Sequence, residues 1–318
     1  MIEPGVATAF TDGITHINLD ESSTLDGEQQ IATFKSASAS IYDLSASMTV
    51  KGELWNWGHH NPEHLAEIEA RLPGFSTYGT DTFSEQSYYL ALRDIPKGLE
   101  GCAGKAILEV GCGVGEGLNF LSRLVPDARM TGLDLAPKAV ARANATLARG
   151  DELRFVQGDA EALPFEDASV DVLINVESSH AYPNLKGFLQ EAARVLRPGG
   201  VLSHIDVYTT QRLRAMRAIQ AELPGLEWIS DNDISDQVRA AVRQRMAPGS
   251  RFRRNLDKQR MNRFVRMLAT NNLVMTFGGP FAGYREPAVV KLLNRLKVLP
   301  PAGSLPMRSY RHQVAVRS

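Results

Sequence analysis

Ile107-Leu-Glu-Val-Gly-Cys-Gly-Val-Gly115 is an apolar run that stops at an acid and breaks into three alternating glycines. A second apolar run follows and also ends on a carboxylate, Met130-Thr-Gly-Leu-Asp-Leu135. Glycine lacks a Cβ, so the backbone can turn sharply and let a ligand lie against it. A strand, a glycine turn, a helix and a second strand ending in an acid form a nucleotide-binding half-site. The carboxylate of Asp134 suits a ribose diol, because an ionised acid accepts from two hydroxyls at once.

The spacing argues against a dinucleotide. That fingerprint is G-x-G-x-x-G, with a helix N-terminus facing a pyrophosphate. Here the pattern is E-x-G-x-G-x-G, and Glu109 stands directly before the turn. A carboxylate there repels a pyrophosphate but can help hold a ligand carrying an ammonium and a sulfonium. No Gly-Lys-Ser/Thr follows, so a phosphate-cradling loop is disfavoured as well.

The motif set from Lys105 to Asp206 resembles the class I S-adenosylmethionine-dependent methyltransferases. After the glycine turn and Gly132-Leu-Asp-Leu come Val156-Gln-Gly-Asp-Ala-Glu-Ala-Leu-Pro-Phe165, Val170-Asp-Val-Leu-Ile-Asn-Val-Glu177 and Glu191-Ala-Ala-Arg-Val-Leu-Arg-Pro-Gly-Gly200. They stand in the family's order. Asn175-Val-Glu-Ser-Ser-His-Ala-Tyr-Pro183 looks like the small-molecule branch, and is similar to actinobacterial methyltransferases that finish lipids and polyketides, such as the phthiotriolone dimycocerosate enzymes. The resemblance implies S-adenosylmethionine as cofactor. It implies that Glu109, Gly111 and Gly113 shape the pocket for the methionine half, Asp134 binds the ribose, Leu135 packs on the adenine, Asp159 accepts from the adenine amino group beside Ala160, and Asn175 lies under the cofactor.

Composition sets bounds. The chain has 318 residues, 43% of them apolar, and a formal charge of −1. That balance gives no global attraction to nucleic acid or to an anionic membrane. Cys102 and Cys112 do not make a disulfide framework. No apolar run approaches the ~18 residues that would span a bilayer, so stable membrane insertion is not expected. No leader segment is read, and the expected location is cytoplasmic. His59, His60 and His64 have helical spacing for two metal ligands, but no thiolate or matched carboxylate completes a set.

Alternation of strands with helices predicts a doubly wound, mostly parallel seven-stranded sheet. Ala106–Val110, Arg129–Leu135, Leu153–Gln157, Val170–Val176 and Val201–Val207 read as strands one to five. Leu273–Phe277 reads as the sixth, and Tyr310–Val316 as an antiparallel seventh. Residues 1–104 read as an N-terminal arm and helical lid, loose up to about Gly27 and then striped by Ile31, Phe34, Ile41, Leu44 and Met48. That stripe can cover its own core or pair with a second subunit as a homo-oligomer. Residues 105–318 read as the methyltransferase core, with a helical substrate cap at about 209–250.

The expected reaction is transfer of a methyl group to a lipophilic small molecule of secondary metabolism, at a hydroxyl. Glu177 and His180 leave the fourth strand toward the reacting methyl, and histidine titrates near neutrality; His180 is the candidate base. Trp55, Trp57, Tyr88 and Tyr89 are expected to close over the ligands, and His204 with Asp206 to end the fifth strand facing the pocket. Two alternatives stand beside this. Thr209 to Thr270 carries 12 Arg and 1 Lys against 6 acids, and arginine forks match phosphate oxygens. The substrate would then be a prenyl diphosphate methylated at carbon. A third reading is a cyclase that keeps the cofactor without transferring the methyl. Nucleic acid is not an expected partner, since the Asn/Asp-Pro-Pro-Tyr/Phe signature of amino-methylating enzymes is absent.

Overall fold

The computed structural model describes residues 3–20, 24–48, 56–78, 80–251, 253–254, 262, 271, 274–275, 278–296 and 305–318. Its centre is a seven-stranded sheet: β1 Ala106–Val110, β2 Arg129–Asp134, β3 Leu153–Gln157, β4 Val170–Val176, β5 Leu196–Tyr208, β6 Leu226–Asp233 and β7 Ser309–Arg317. The spatial order is β3-β2-β1-β4-β5-β7-β6. All neighbours up to β5 are parallel, and β7 runs antiparallel between β5 and β6. Helices α5 Glu116–Leu124, α6 Pro137–Leu147, α7 Leu185–Val195 and α8 Thr210–Glu222 make the crossovers.

The central strands β1, β4 and β5 are largely buried because helices cover both faces of the sheet. Leu108, Val110, Leu173 and Leu202 point to one core, with Phe188 and Leu189 of α7. Ile107, Met130, Ile174 and Ile205 point to the other, with Leu118 and Leu121 of α5. At Gly115 the chain takes φ +80 and enters α5 directly. Gly117, in the first turn of α5, packs under the Tyr88 ring, and a Cβ there would fall inside that ring. The substitution Gly117→Ala is therefore expected to displace Tyr88 and destabilise the fold by about 1–3 kcal/mol, seen as a drop of several degrees in thermal unfolding. An unchanged midpoint would mean that Tyr88 moves aside freely.

Two expectations are corrected. The sixth strand is Leu226–Asp233, not Leu273–Phe277; within the latter, Val274 and Met275 are helical and the rest lies outside the described residues. β6 is an edge strand, and only Leu226 of its residues is fully buried. Its Glu227, Asp231 and Asp233 keep the edge charged, which hides it from a search for apolar runs. The stretch read as a helical cap at 209–250 is therefore α8, β6 and α9 Ser235–Met246, part of the sheet's own winding.

The N-terminal stretch is not loose where described. It forms α1 Pro4–Leu19, with proline in its first turn, which is pre-set for helical φ. Phe10 stacks on Phe34 of α2 (Glu28–Met48) at 5.9 Å, and Ile17, Leu25 and Phe34 close a small core of their own. Helix α2 then lies along α6: Asp43 accepts from the Lys138 N–H at 2.7 Å, and Arg142 reaches the Ala46 carbonyl. Two further helices, α3 Pro62–Arg71 and α4 Phe83–Arg93, complete the region before β1.

Candidate active site

Parallel sheets present ligands at the carboxyl ends of their strands. Five acids converge there: Glu109 in β1, Asp134 closing β2, Asp159 after β3, Glu177 after β4 and Asp206 near the end of β5. A cavity of about 660 Å³ opens over them. Its wall includes Gly111, Gly113, Asp134, Leu135, Asp159, Ala160, Glu177 and His180, with Tyr88 and Trp57 from the preceding region. Phe10, Ile14, Tyr42, Phe281 and Met307 make the remaining surface largely apolar.

Glu109 is fully buried beneath the glycine turn, and neither of its oxygens has a hydrogen-bond partner among the described residues. Burial pushes its carboxyl up to about 8, with the Tyr88 hydroxyl nearby pulling the other way. An acid buried there with no more than that hydroxyl near it is costly unless something supplies a further donor. Gly111 takes φ +81, and a Cβ on it would collide with Ser178 and Tyr182. Asp134 accepts from the Gly113 N–H at 2.7 Å and the Ala136 N–H at 2.9 Å, so it braces the turn it faces. Burial raises its pKa, and those donors oppose the rise.

Beyond the turn, a second polar cluster centres on His180. Its Nδ1 lies 2.8 Å from Asp206 Oδ1, and its backbone N–H donates to Asp206 Oδ2 at 2.8 Å. Asp206 also accepts from Ser179 Oγ at 2.6 Å and from its neighbour's N–H at 2.7 Å. Burial works against the Asp206 charge, but His180, His204 and Ser179 outweigh it and hold the carboxyl at about 2. An ionised Asp206 requires the proton on His180 Nδ1, which leaves Nε2 as the acceptor. Burial disfavours the charged ring, yet Asp206 wins and His180 titrates above its ordinary 6.5. Glu177 has φ +53, a left-handed conformation that costs a side-chain-bearing residue energy. The Trp57 N–H and the Tyr310 hydroxyl both donate to its Oε2, at 2.7 and 2.5 Å. Burial still raises its carboxyl to about 7.

Several expected site residues sit elsewhere. His204 does not reach the cavity wall; it is fully buried, bonded to Ser179 Oγ at 2.8 Å and to Tyr208. Tyr89 faces away and donates to Glu67 at 2.7 Å. Asn175 is buried behind the wall, where its amide donates to the Val110 carbonyl, Ser178 and Tyr182. Trp55 lies outside the described residues. His59 stacks on His64 at 5.2 Å, and no cluster of three or more metal-ligating side chains occurs among the described residues.

Other residues enter the site without having been expected. Lys35 of α2 crosses the mouth and pairs with Asp159 and Glu161 at 2.6 Å each. The His180 loop is fastened from α1: Asn18 Nδ2 donates to the His180 carbonyl at 2.7 Å. Buried Arg212 donates to the carbonyls of Ile17, Ser179 and Tyr182. These are contacts across 30 to 195 residues of chain, and local pattern carries no trace of them.

Three arginines of the basic region are occupied with the fold. Arg245 forks onto Asp81 at 2.6 and 3.1 Å, Arg239 lies over Phe281 at 4.5 Å, and Arg243 donates to the Ala282 carbonyl. Among the described residues, Lys35 is the one Lys or Arg in the cavity wall, and it is already paired with two acids.

The strand order, with β7 antiparallel between β5 and β6, is that of the Rossmann-like methyltransferase fold. Residues 108–203 match the methyltransferase-domain family. The phthiotriol/phenolphthiotriol dimycocerosates methyltransferase of Mycobacterium tuberculosis is 39% identical over 163 residues, covering 51% of this chain and 58% of that protein. A fatty-acid O-methyltransferase of Mycolicibacterium smegmatis is 42% identical over 137 residues, 42% of this chain and 48% of that protein. The chain thus spans about half the length of the curated relatives it matches. Among solved structures, the geranyl diphosphate C-methyltransferase of Streptomyces coelicolor superposes with a TM-score of 0.55 at 16% identity, over 89% of this chain and 98% of that one. The [4+2]-cyclase SpnF gives 0.53 at 18%, over 89% and 96%. At these identities the two structures speak to the fold alone.

Proposed function

We propose that the protein transfers a methyl group from S-adenosylmethionine to a hydroxyl of a neutral, lipophilic small molecule. The observation that carries this reading is His180 in the wall of a largely apolar cavity beside the glycine turn, held from behind by buried Asp206. The residues fit the cofactor. Glu109, buried with only the Tyr88 hydroxyl near it, suits the ammonium of its methionine half. Asp134 keeps lone pairs for a ribose diol, Leu135 and Ala160 offer apolar surface to the adenine, and Asp159 retains acceptor capacity beside Lys35. When bound, the cofactor supplies a methyl group already activated on a positive sulfur.

The chain's own work is then alignment, exclusion of water and removal of one proton. Nε2 of His180 would take the proton that the acceptor hydroxyl must lose on methylation. Asp206 holds the ring in the required tautomer and balances the imidazolium. Glu177, fixed by Tyr310 and the Trp57 N–H, orients the acceptor. Helices α1 and α2 close the mouth through Lys35. The variant Lys35→Met is expected to release cofactor about tenfold faster, a typical effect of losing one partly buried ion pair; stopped-flow dissociation measures it, and an unchanged rate would remove the closing role.

A neutral acceptor is favoured over a diphosphate because the one Lys or Arg in the described cavity wall is already paired. Mass spectrometry of hydroxylated lipids, phenols and prenyl diphosphates incubated with enzyme and cofactor tests the choice. A gain of one methylene on a neutral hydroxyl compound supports the reading. A gain confined to the diphosphates overturns it in favour of carbon methylation.

A further inference from the structure

Five large apolar side chains are strongly exposed among the described residues, and three of them stand together: Val289, Leu292 and Leu296 at 42, 55 and 62%. They belong to the helix Ala288–Arg295 and the residue that caps it. Steps of three and four place them on one face. The inward side is separate: Val290 is buried, and Asn294 is tied to Glu286 at 3.3 Å. Soluble surfaces scatter such residues singly, and a contiguous stripe marks an interaction site.

Charge identifies the partner. Arg285, Lys291 and Arg295 are all exposed, and Lys291 with Arg295 flank the stripe on the side away from Val290. Glu286 is the one acid between residues 278 and 296, and it is half-buried against Asn294. An apolar stripe edged by cations is the pattern of a helix that lies in a membrane interface with anionic headgroups. Eight residues make a helix of about 12 Å, and no helix among the described residues is long and apolar enough to cross a membrane. The net charge of the whole chain is near zero, so the attraction is a property of this face.

We propose that the helix Ala288–Arg295 docks the protein on the surface of an anionic bilayer. Its position in the chain gives this a use. Pro280 and Phe281 before it, and Leu305 to Met307 after it, line the cavity, so the docking helix is bracketed by two stretches of cavity wall. A lipophilic acceptor dissolved in the bilayer is thereby brought to the segment that walls the site. The docking itself requires neither cofactor nor acceptor.

Co-sedimentation of the full chain with vesicles tests it, using phosphatidylcholine alone or mixed equally with phosphatidylglycerol. Binding is expected to the mixed vesicles and to weaken as salt rises. The pair Leu292→Ser and Leu296→Ser is expected to lower that binding at least about tenfold, and Lys291→Ala with Arg295→Ala to lower it similarly and flatten the salt dependence. Both variants should keep methyl transfer to a detergent-dissolved acceptor, which separates this proposal from the reaction itself. Wild-type protein that stays in the supernatant with both vesicles overturns it. So does a serine variant that binds as well as wild type. A solution dimer dissolved by the same serine pair would show that a second copy covers the stripe, and would overturn it too.

Discussion

Replacing His180 with alanine is expected to lower turnover by about 10²–10⁴-fold, the range for loss of a positioned base, while cofactor affinity changes little. The split follows from geometry. His180 lines the cavity with its Nδ1 held by Asp206, whereas the residues suited to the cofactor lie on β1, β2 and the loop after β3. Asp206→Asn keeps the shape but can no longer enforce the proton on Nδ1, so most of the same loss is expected. The pH profile adds a second readout. A base must be neutral to act, and Asp206 raises the His180 pKa. Turnover in the wild type should therefore rise with pH through a midpoint above 6.5, and Asp206→Asn should shift that midpoint downward. An alanine variant with wild-type turnover, checked by steady-state kinetics beside calorimetric cofactor binding, would remove His180 from the chemistry.

The second large effect belongs to Glu109. Its carboxyl stands at about 8 in the folded chain against an ordinary 4.5. Between those values the folded state keeps a proton that the unfolded state has lost. Stability in the absence of cofactor should therefore decline as pH rises from about 4.5 to about 8 and level off beyond. Glu109→Gln removes that liability. It is expected to be more stable than wild type above pH 8, by roughly 2–4 kcal/mol, and equally stable at low pH. Glu177, raised to about 7 by burial, leaves part of the decline in place. The same variant should bind cofactor about tenfold or more weakly, because it loses the carboxylate that an ammonium would meet. Denaturant titrations at acid and alkaline pH, with and without cofactor, measure both. A variant less stable than wild type at high pH would show that the Glu109 carboxylate is held by more than the Tyr88 hydroxyl near it.

The sheet was legible where strands are buried on both faces. β1 and β4 read as largely apolar runs, and each of the first four strands ends near an acid or glycine that the fold then uses. β6 was not legible, because an edge strand alternates and carries its own charges. Helix α1 left a faint signal in Pro4 and the spacing of Phe10, Ile14 and Ile17, diluted by Thr, Gly and His. In the site, Asp134 and Glu177 could be placed because strand ends place them. Lys35, Asn18, Arg212 and Tyr310 could not, since their partners lie far along the chain. His204 illustrates the opposite error. Two residues from Asp206 on one strand, it shares that side of the sheet, but packs behind Ser179.

The most direct test of the account is a single-turnover reaction with cofactor carrying a ¹³C-labelled methyl group and a hydroxylated long-chain acceptor, read by carbon NMR. The label is expected in a methoxy resonance, formed at a rate that collapses in His180→Ala. A label on carbon, or no transfer to any hydroxyl compound, would contradict it.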